Sequence, residues 1–125
     1  MKFLNTKKID ERTFDFALQI IELYKFLNTK NEYIFSKQLL RSATSVGANV
    51  EEAQAAQSRK DFISKMSIAS KEARESKYWI RLLDKSNYLN GFNNKEYINN
   101  EVNIIINIIT KIVKTTTQND PKETK

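Results

Sequence analysis

Two acidic pairs and a run of basic residues are the side chains whose types and spacing suggest chemistry in this sequence. A di-iron helical site needs Glu-x-x-His on paired helices. Glu72-x-x-Glu75 lacks the histidine, and so does Glu51-Glu52. The 125-residue chain has no histidine and no cysteine, which removes the commonest general base and all thiolate chemistry. No P-loop or dinucleotide fingerprint occurs. We therefore expect a protein that is not an enzyme and has no metal and no cofactor.

Basic residues concentrate between positions 58 and 90. This segment carries eight basic and four acidic residues, so its surplus of four is most of the net charge of +6. At 100° per residue, five of the cations fall within an arc of about 80° on one helix face, and Lys77 stands close to it. Such a face predicts contacts with phosphates of RNA or DNA, and Tyr78 within it offers a ring that could stack on a base. We call the six cations the basic stripe: Lys60, Lys71, Arg74, Lys77, Arg81 and Lys85.

The basic stripe also has an ordinary interpretation as the solvated face of a surface helix. Exposed helix faces are usually charged, and the pairs Asp61–Lys65 and Lys71–Glu75 have the i,i+4 spacing of helical ion pairs. Under this interpretation the charges keep the helix soluble and bind no partner. The sequence leaves both interpretations open.

Four long helices are expected to position these side chains. The chain has only two glycines and one proline, too few turn residues for a sheet protein. Ser58 and Asp61 form a variant of the capping box at the start of the third helix, and Gly91 is well placed to end it. Short connections imply antiparallel neighbours, so we predict an all-α, antiparallel up-and-down four-helix bundle. It occupies residues 1–117, with a polar, disordered tail at 118–125 and helices at about 10–28, 32–56, 58–89 and 94–117.

Two of these helices carry more apolar surface than one core can bury. In the first, Phe14, Leu18 and Ile21 share one face, and a second apolar face is formed by Phe16, Ile20, Leu23 and Leu27. The fourth is similar, with isoleucines beyond its core stripe. A helix in a monomeric bundle usually shows one apolar stripe slightly over 100° wide, and exposing the surplus would create a large sticky patch. The pattern favours a homo-oligomer, with unusually complete burial inside one bundle as the alternative.

Polar residues interrupt the apolar faces of the second and third helices. Buried polar groups must be hydrogen-bonded, or each costs about 1–3 kcal/mol. We interpret them as a structural polar network that fixes helix register, with a catalytic or ligand site as the alternative. An Arg41–Glu72 or Arg41–Glu75 ion pair is expected within it. The network comprises Arg41, Ser45, Asn49, Glu52, Glu72 and Glu75.

The sequence gives no sign of export or of membrane insertion. The start MKFLNTKKID has no apolar stretch long enough for a signal peptide, and no window approaches 18 apolar residues. We therefore expect a cytoplasmic protein without a membrane partner.

Residues 38–83 contain a set of distinctive motifs: Arg41-Ser42-Ala43-Thr44-Ser45, Gly47-Ala48-Asn49-Val50-Glu51-Glu52-Ala53, Lys60-Asp61-Phe62, Ala69, Lys71-Glu72-Ala73, Glu75 and Tyr78-Trp79. Through these motifs the chain resembles the four-helix-bundle family named after intervening sequences in the 23S ribosomal RNA gene. The resemblance implies an up-and-down bundle, commonly a homopentamer, with no known enzymatic activity. A related branch, the accessory variability proteins of diversity-generating retroelements, forms basic pentamers that bind nucleic acid and a reverse transcriptase, but no signature places this chain there.

The leading hypothesis is a homo-oligomeric bundle that binds RNA or DNA non-specifically through the basic stripe. A second is a protein-interaction scaffold whose partner is another protein. A third is a toxin, antitoxin or selfish-element product that maintains its own locus. An enzyme is the remote fourth, given the empty catalytic inventory.

Overall fold

Four α-helices contain most of residues 7–119, the part of the chain that the computed structural model describes. They are α1 (Ile9–Thr29), α2 (Ile34–Gln54), α3 (Arg59–Lys85) and α4 (Lys95–Gln118). No strand occurs among the described residues, so the all-α prediction is confirmed. None of the four helices has an 18-residue stretch apolar enough for a membrane span. The tail was expected to begin at residue 118, but Gln118 still belongs to α4. Residues 120–125, the rest of the expected tail, lie outside the described residues.

The connection between α1 and α2 is closed by a left-handed asparagine and a buried glutamate. Asn31 has φ 63°, and the Glu32 N–H donates to the Leu27 carbonyl oxygen at 3.0 Å, as in a Schellman ending. The Glu32 carboxylate then accepts hydrogen bonds from the backbone N–H groups of residues 34–36 at 2.7 to 3.0 Å. Glu32 therefore caps α2 from outside the helix, whereas the sequence predicted it as the first helical residue.

The start of α3 follows the sequence prediction, but its end does not. Ser58 Oγ accepts a hydrogen bond from the Asp61 N–H at 3.0 Å. At the other end the helix stops four residues early, because Asn87 takes φ 70° and backbone hydrogen bonds close around it. Leu89 lies in the turn that follows α3 but is nevertheless fully buried. Its position in the sequence therefore matched the apolar spacing of the helix although its backbone is not helical. Gly91, with φ 90°, lies in a later turn and does not end α3.

The core lies between the four helices, which form a ring of neighbours. α2 packs against α1 and α3, and α4 packs against α3 and α1, so α1 and α3 occupy opposite corners. This arrangement turns the outer face of α3, which carries the basic stripe, away from α1. The largest fully buried side chains are Phe16, Ile20, Leu23, Leu27, Leu39, Met66, Ile80, Leu83, Leu89, Ile98, Ile105 and Ile109.

Gly47 lies where α2 crosses α1. A glycine inside a helix costs about 1 kcal/mol relative to alanine, and here it is buried against the backbone of Thr13. A Cβ atom added at Gly47 would meet the Thr13 carbonyl oxygen at 3.6 Å, an ordinary van der Waals distance. Gly47→Ala is therefore expected to raise the free energy of unfolding by up to about 1 kcal/mol, measured by urea denaturation. Gly47→Leu is the matched overpacking variant and should lower the free energy of unfolding. A lower free energy of unfolding in Gly47→Ala would contradict the 3.6 Å distance from the added Cβ atom to the Thr13 carbonyl oxygen.

Candidate nucleic-acid interface

The basic stripe lies on the outer face of α3, and five of its six members are exposed; Lys77 is half-buried. None of the six forms a salt bridge with a carboxylate of residues 7–119. Some cations on other faces are neutralised locally, for example Arg12 by Glu101 and Lys95 by Asp84. Others, such as Lys30 and Lys37, also form no salt bridge within residues 7–119, but they are not aligned along one helix face with the stripe. The stripe therefore presents a row of uncompensated positive charge.

Asp61–Lys65 and Lys71–Glu75, the i,i+4 pairs that the solvated-face interpretation considered, do not form salt bridges within residues 7–119. Lys65 instead contacts Glu52 of α2, with Nζ and Oε1 2.9 Å apart, and this hydrogen bond raises the pKa of Lys65. Glu75 forms its salt bridge with Arg41 of α2. The cause is the rotation of α3 about its axis, which directs Glu72 and Glu75 toward Arg41 of α2.

The positive surface continues from α3 onto α4. Arg74 Nη2 donates to Thr110 Oγ1 at 3.0 Å, so the guanidinium bridges the two helices. A shallow groove beside it is lined by hydroxyl and cationic groups and one apolar side chain: Ser67, Ser70, Arg74, Thr110, Val113 and Lys114. This extension was not predicted, because only the cations of the third helix were assigned to a binding face from the sequence. The signal was Lys114, one helical turn after Thr110.

The polar network predicted for α2 and α3 is three separate groups in the structure. Arg41 forms salt bridges with both Glu72 and Glu75. Asn49 donates from Nδ2 to the carbonyl oxygen and Oγ of Ser45, within α2. The third group is the Glu52–Lys65 pair across the α2–α3 seam.

Glu75 is the centre of the first of these groups. Its Oε2 atom accepts a hydrogen bond from Trp79 Nε1 at 3.0 Å and another from Arg41. The indole N–H and the guanidinium lower the pKa of Glu75, and Glu75 in turn raises the pKa of Arg41. The group is thus held in its charged form and fixes the Trp79 ring.

A buried hydroxyl pair also joins α2 and α3. Ser42 Oγ and Ser76 Oγ lie 2.8 Å apart and both residues are fully buried. Each Oγ also lies within hydrogen-bond distance of a carbonyl oxygen of its own helix, Ser42 of Leu39 at 3.2 Å and Ser76 of Glu72 at 2.9 Å, so the two hydroxyl protons are shared among three contacts. The small side chains let the two helices approach closely while every hydroxyl keeps a partner.

An ion pair between α1 and α4 was not foreseen from the sequence. Arg12 Nη1 lies 2.9 Å from both carboxylate oxygens of Glu101, and only 12% and 8% of the two side chains are exposed. The available signal was a lone glutamate on the otherwise apolar inner side of α4. This pair fixes how α4 sits on α1.

Tyr97 lies near that pair, and its ionisation provides a test of the packing. Burial, with the charges of Glu101 and Asp15, raises the pKa of Tyr97 to about 12. The folded protein therefore keeps a proton that the unfolded chain loses near its ordinary pKa of about 10. This contribution to stability is complete below pH about 10 and is lost between about pH 10 and 12. Tyr97→Phe should show a shallower alkaline loss of stability than wild type in urea denaturation; equal slopes would contradict the assignment.

Several large apolar side chains lie on the surface. Phe14 and Leu18 of α1 are 58% and 45% exposed, Ile34 at the start of α2 is 72% exposed, and Ile104 of α4 is 40% exposed. Of the surplus apolar residues of α1, Phe14 and Leu18 thus remain exposed in the single chain and Ile21 is half-buried, whereas most of those in α4 are buried or half-buried. Over residues 7–119 no three carboxylates are grouped as metal ligands.

Comparisons with known proteins agree with this fold. The family model described as 23S rRNA-intervening sequence protein matches residues 6–114. A crystal structure of a protein of unknown function from the S23 ribosomal protein family of Bacteroides thetaiotaomicron is 45% identical in sequence. The match covers 86% of this chain and 99% of that one, with a TM-score of 0.80. No protein of curated function matches the chain. The chain therefore belongs to the 23S rRNA-intervening sequence protein family, as its sequence motifs indicated.

Proposed function

We propose that this protein is a non-enzymatic, self-assembling, antiparallel four-helix bundle that binds RNA or DNA through the basic stripe. The observation that carries the proposal is that six cations without an ion pair within residues 7–119 lie together along the outer face of one helix. A solvated face would gain from local neutralisation, whereas a phosphate-binding face needs its charge free.

The stripe has dimensions suited to a nucleic-acid backbone. From Lys60 to Lys85 it extends roughly 38 Å along a straight helix at 1.5 Å per residue. Each phosphate neutralised by a lysine or arginine releases condensed counterions, so affinity should fall steeply with salt. Phosphate contacts carry no sequence information, and binding should therefore depend little on base sequence.

Self-assembly is part of the proposal because it would repeat the stripe. Exposed Phe14 and Leu18 offer an apolar surface for a second copy, and the family resemblance suggests a pentamer. Copies held in one assembly bind a long polyanion with a much higher effective concentration than single chains. The antiparallel arrangement is supported by contacts from both ends of α2 to opposite ends of α3, Phe35 to Trp79 and Glu52 to Lys65.

The test is fluorescence anisotropy of labelled RNA and DNA, titrated with protein at low and near-physiological salt, with the same stock sized by light scattering. A ribosomal RNA fragment belongs among the ligands, because the names of the family and of the similar structure refer to 23S rRNA and to a ribosomal protein. We expect submicromolar binding that weakens steeply with salt, by an oligomer. Absence of binding at low salt would overturn the proposal.

A protein-interaction scaffold is the second candidate. Ile34, 72% exposed at the start of α2, is the observation that favours it, since an isolated monomer gains nothing from so exposed an isoleucine. This function predicts a protein partner that remains bound after nuclease treatment and is lost in Ile34→Ser. Nuclease-sensitive capture would favour the nucleic-acid function instead.

A further inference from the structure

Three aromatic rings form a continuous row next to the basic stripe. Phe35 of α2 stacks against Trp79 of α3, with ring centroids 6.0 Å apart and an interplanar angle of 24°. Tyr78 meets Trp79 edge to face at 5.2 Å. Tyr78 is 51% exposed and Phe35 is 38% exposed, so the row is open to solvent at both ends.

The middle ring of this row is fixed in place. Trp79 Nε1 donates to Glu75 Oε2 at 3.0 Å, and the same carboxylate is bonded to Arg41. The Trp79 side chain therefore cannot rotate without breaking a charge-assisted hydrogen bond. An aromatic ring that rests on it, as Tyr78 does, loses little further freedom when a ligand binds.

Free cations lie on both sides of the exposed ring. Arg74 and Arg81 precede and follow Tyr78 by about one helical turn, which separates neighbouring side chains by roughly 5–6 Å. Neither arginine forms a salt bridge with a carboxylate of the described residues. A ring between two uncompensated guanidinium groups matches a ligand that carries an accessible π-face between two phosphates. A protein segment would need acidic residues at both positions, so the charge pattern favours the polyanion.

We propose that Tyr78, supported by Trp79, is a stacking platform for an unpaired base, so that the basic stripe prefers single-stranded over double-stranded nucleic acid. The inference rests on the proposed function and specifies its substrate class. In a duplex the base faces are covered by their neighbours, and only the phosphates can meet the protein. In a single strand each base can leave its stack and lie on an aromatic ring.

The experiment compares three oligonucleotides of equal length: a single strand, the corresponding abasic single strand and a duplex. Wild type is measured beside Tyr78→Ala, with Tyr78→Phe as the matched control that keeps the ring. Because Trp79 is the only tryptophan in the chain, quenching of its fluorescence reports binding at this site. Base–aromatic stacking is worth enough that Tyr78→Ala should weaken single-strand binding roughly 10-fold. Tyr78→Phe should bind like wild type.

The outcomes separate this inference from the proposed function. Preferential binding of the base-containing single strand, with tryptophan quenching and loss in Tyr78→Ala, supports the platform. Equal binding of all three oligonucleotides, unaffected by Tyr78→Ala, overturns the platform and leaves the phosphate-binding function intact. Absence of binding to any of them overturns both. Because Tyr78 is exposed, its alanine variant should keep wild-type helicity, which circular dichroism verifies.

Discussion

Reversing three cations of the basic stripe, in the variant Lys71→Glu, Arg74→Glu and Arg81→Glu, is expected to lower affinity for RNA or DNA by about 100-fold or more at low salt. Each reversal removes one phosphate contact and places a carboxylate where a phosphate would lie. All three side chains are exposed, so helicity and the free energy of unfolding should change little. Anisotropy titration measures the affinity, and the dependence on salt should become shallower as fewer counterions are released.

The control for this variant reverses three lysines away from α3, Lys25→Glu, Lys30→Glu and Lys37→Glu, which are also exposed. Each reversal changes the charge by two, so three reversals take the net charge of +6 to zero in both variants. The control should keep most of the wild-type affinity, because it alters only the long-range field. Equal losses in the two variants would show that net charge, not the stripe, determines binding. Unchanged affinity in the stripe variant would exclude α3 as the interface.

Removing Arg12 is expected to cost about 3–5 kcal/mol of stability, because Glu101 would be left buried and unpaired. The two side chains are almost enclosed, and Arg12 Nη1 contacts both oxygens of the Glu101 carboxylate. A domain of this size has a total stability of about 5–15 kcal/mol, so Arg12→Ala should lower the urea midpoint substantially. The measurement is urea denaturation followed by circular dichroism at neutral pH.

A matched substitution and a double variant test the cause of this loss. Lys25→Ala removes a cation from the exposed Lys25–Glu22 pair and should have little effect. The double variant Arg12→Leu with Glu101→Leu should recover much of the stability, since a buried ion pair replaced by packed apolar residues is often neutral. Arg12 Nε is buried and has no acceptor among residues 7–119. Because an unsatisfied buried donor is unfavourable, removing it should help the double variant to recover stability. If Arg12→Ala and Lys25→Ala have the same free energy of unfolding, the Arg12–Glu101 ion pair does not stabilise the packing of α4 on α1.

The number of helices and most core faces could be predicted because they depend on neighbouring residues. Apolar spacing identifies buried positions such as Ile20, Val50 and Ile105, all of which lie in the core. The cap at Ser58 is equally local. The end of α3 was misplaced because Leu89 is buried from a turn, and a buried residue looks the same in the pattern whether its backbone is helical or not.

The candidate site likewise has one feature that local spacing predicts and others that depend on tertiary packing. The alignment of the α3 cations on one face follows from their spacing alone, because 3.6 residues per turn fixes their relative angles. Which of these cations lack an ion pair depends on the packing of α3 against its neighbours. The partners of Lys65 and Glu75 come from α2, and Arg74 reaches Thr110 on α4. Those contacts depend on how each helix is rotated and shifted against its neighbours. Packing of the whole core sets that rotation, and no local spacing encodes it.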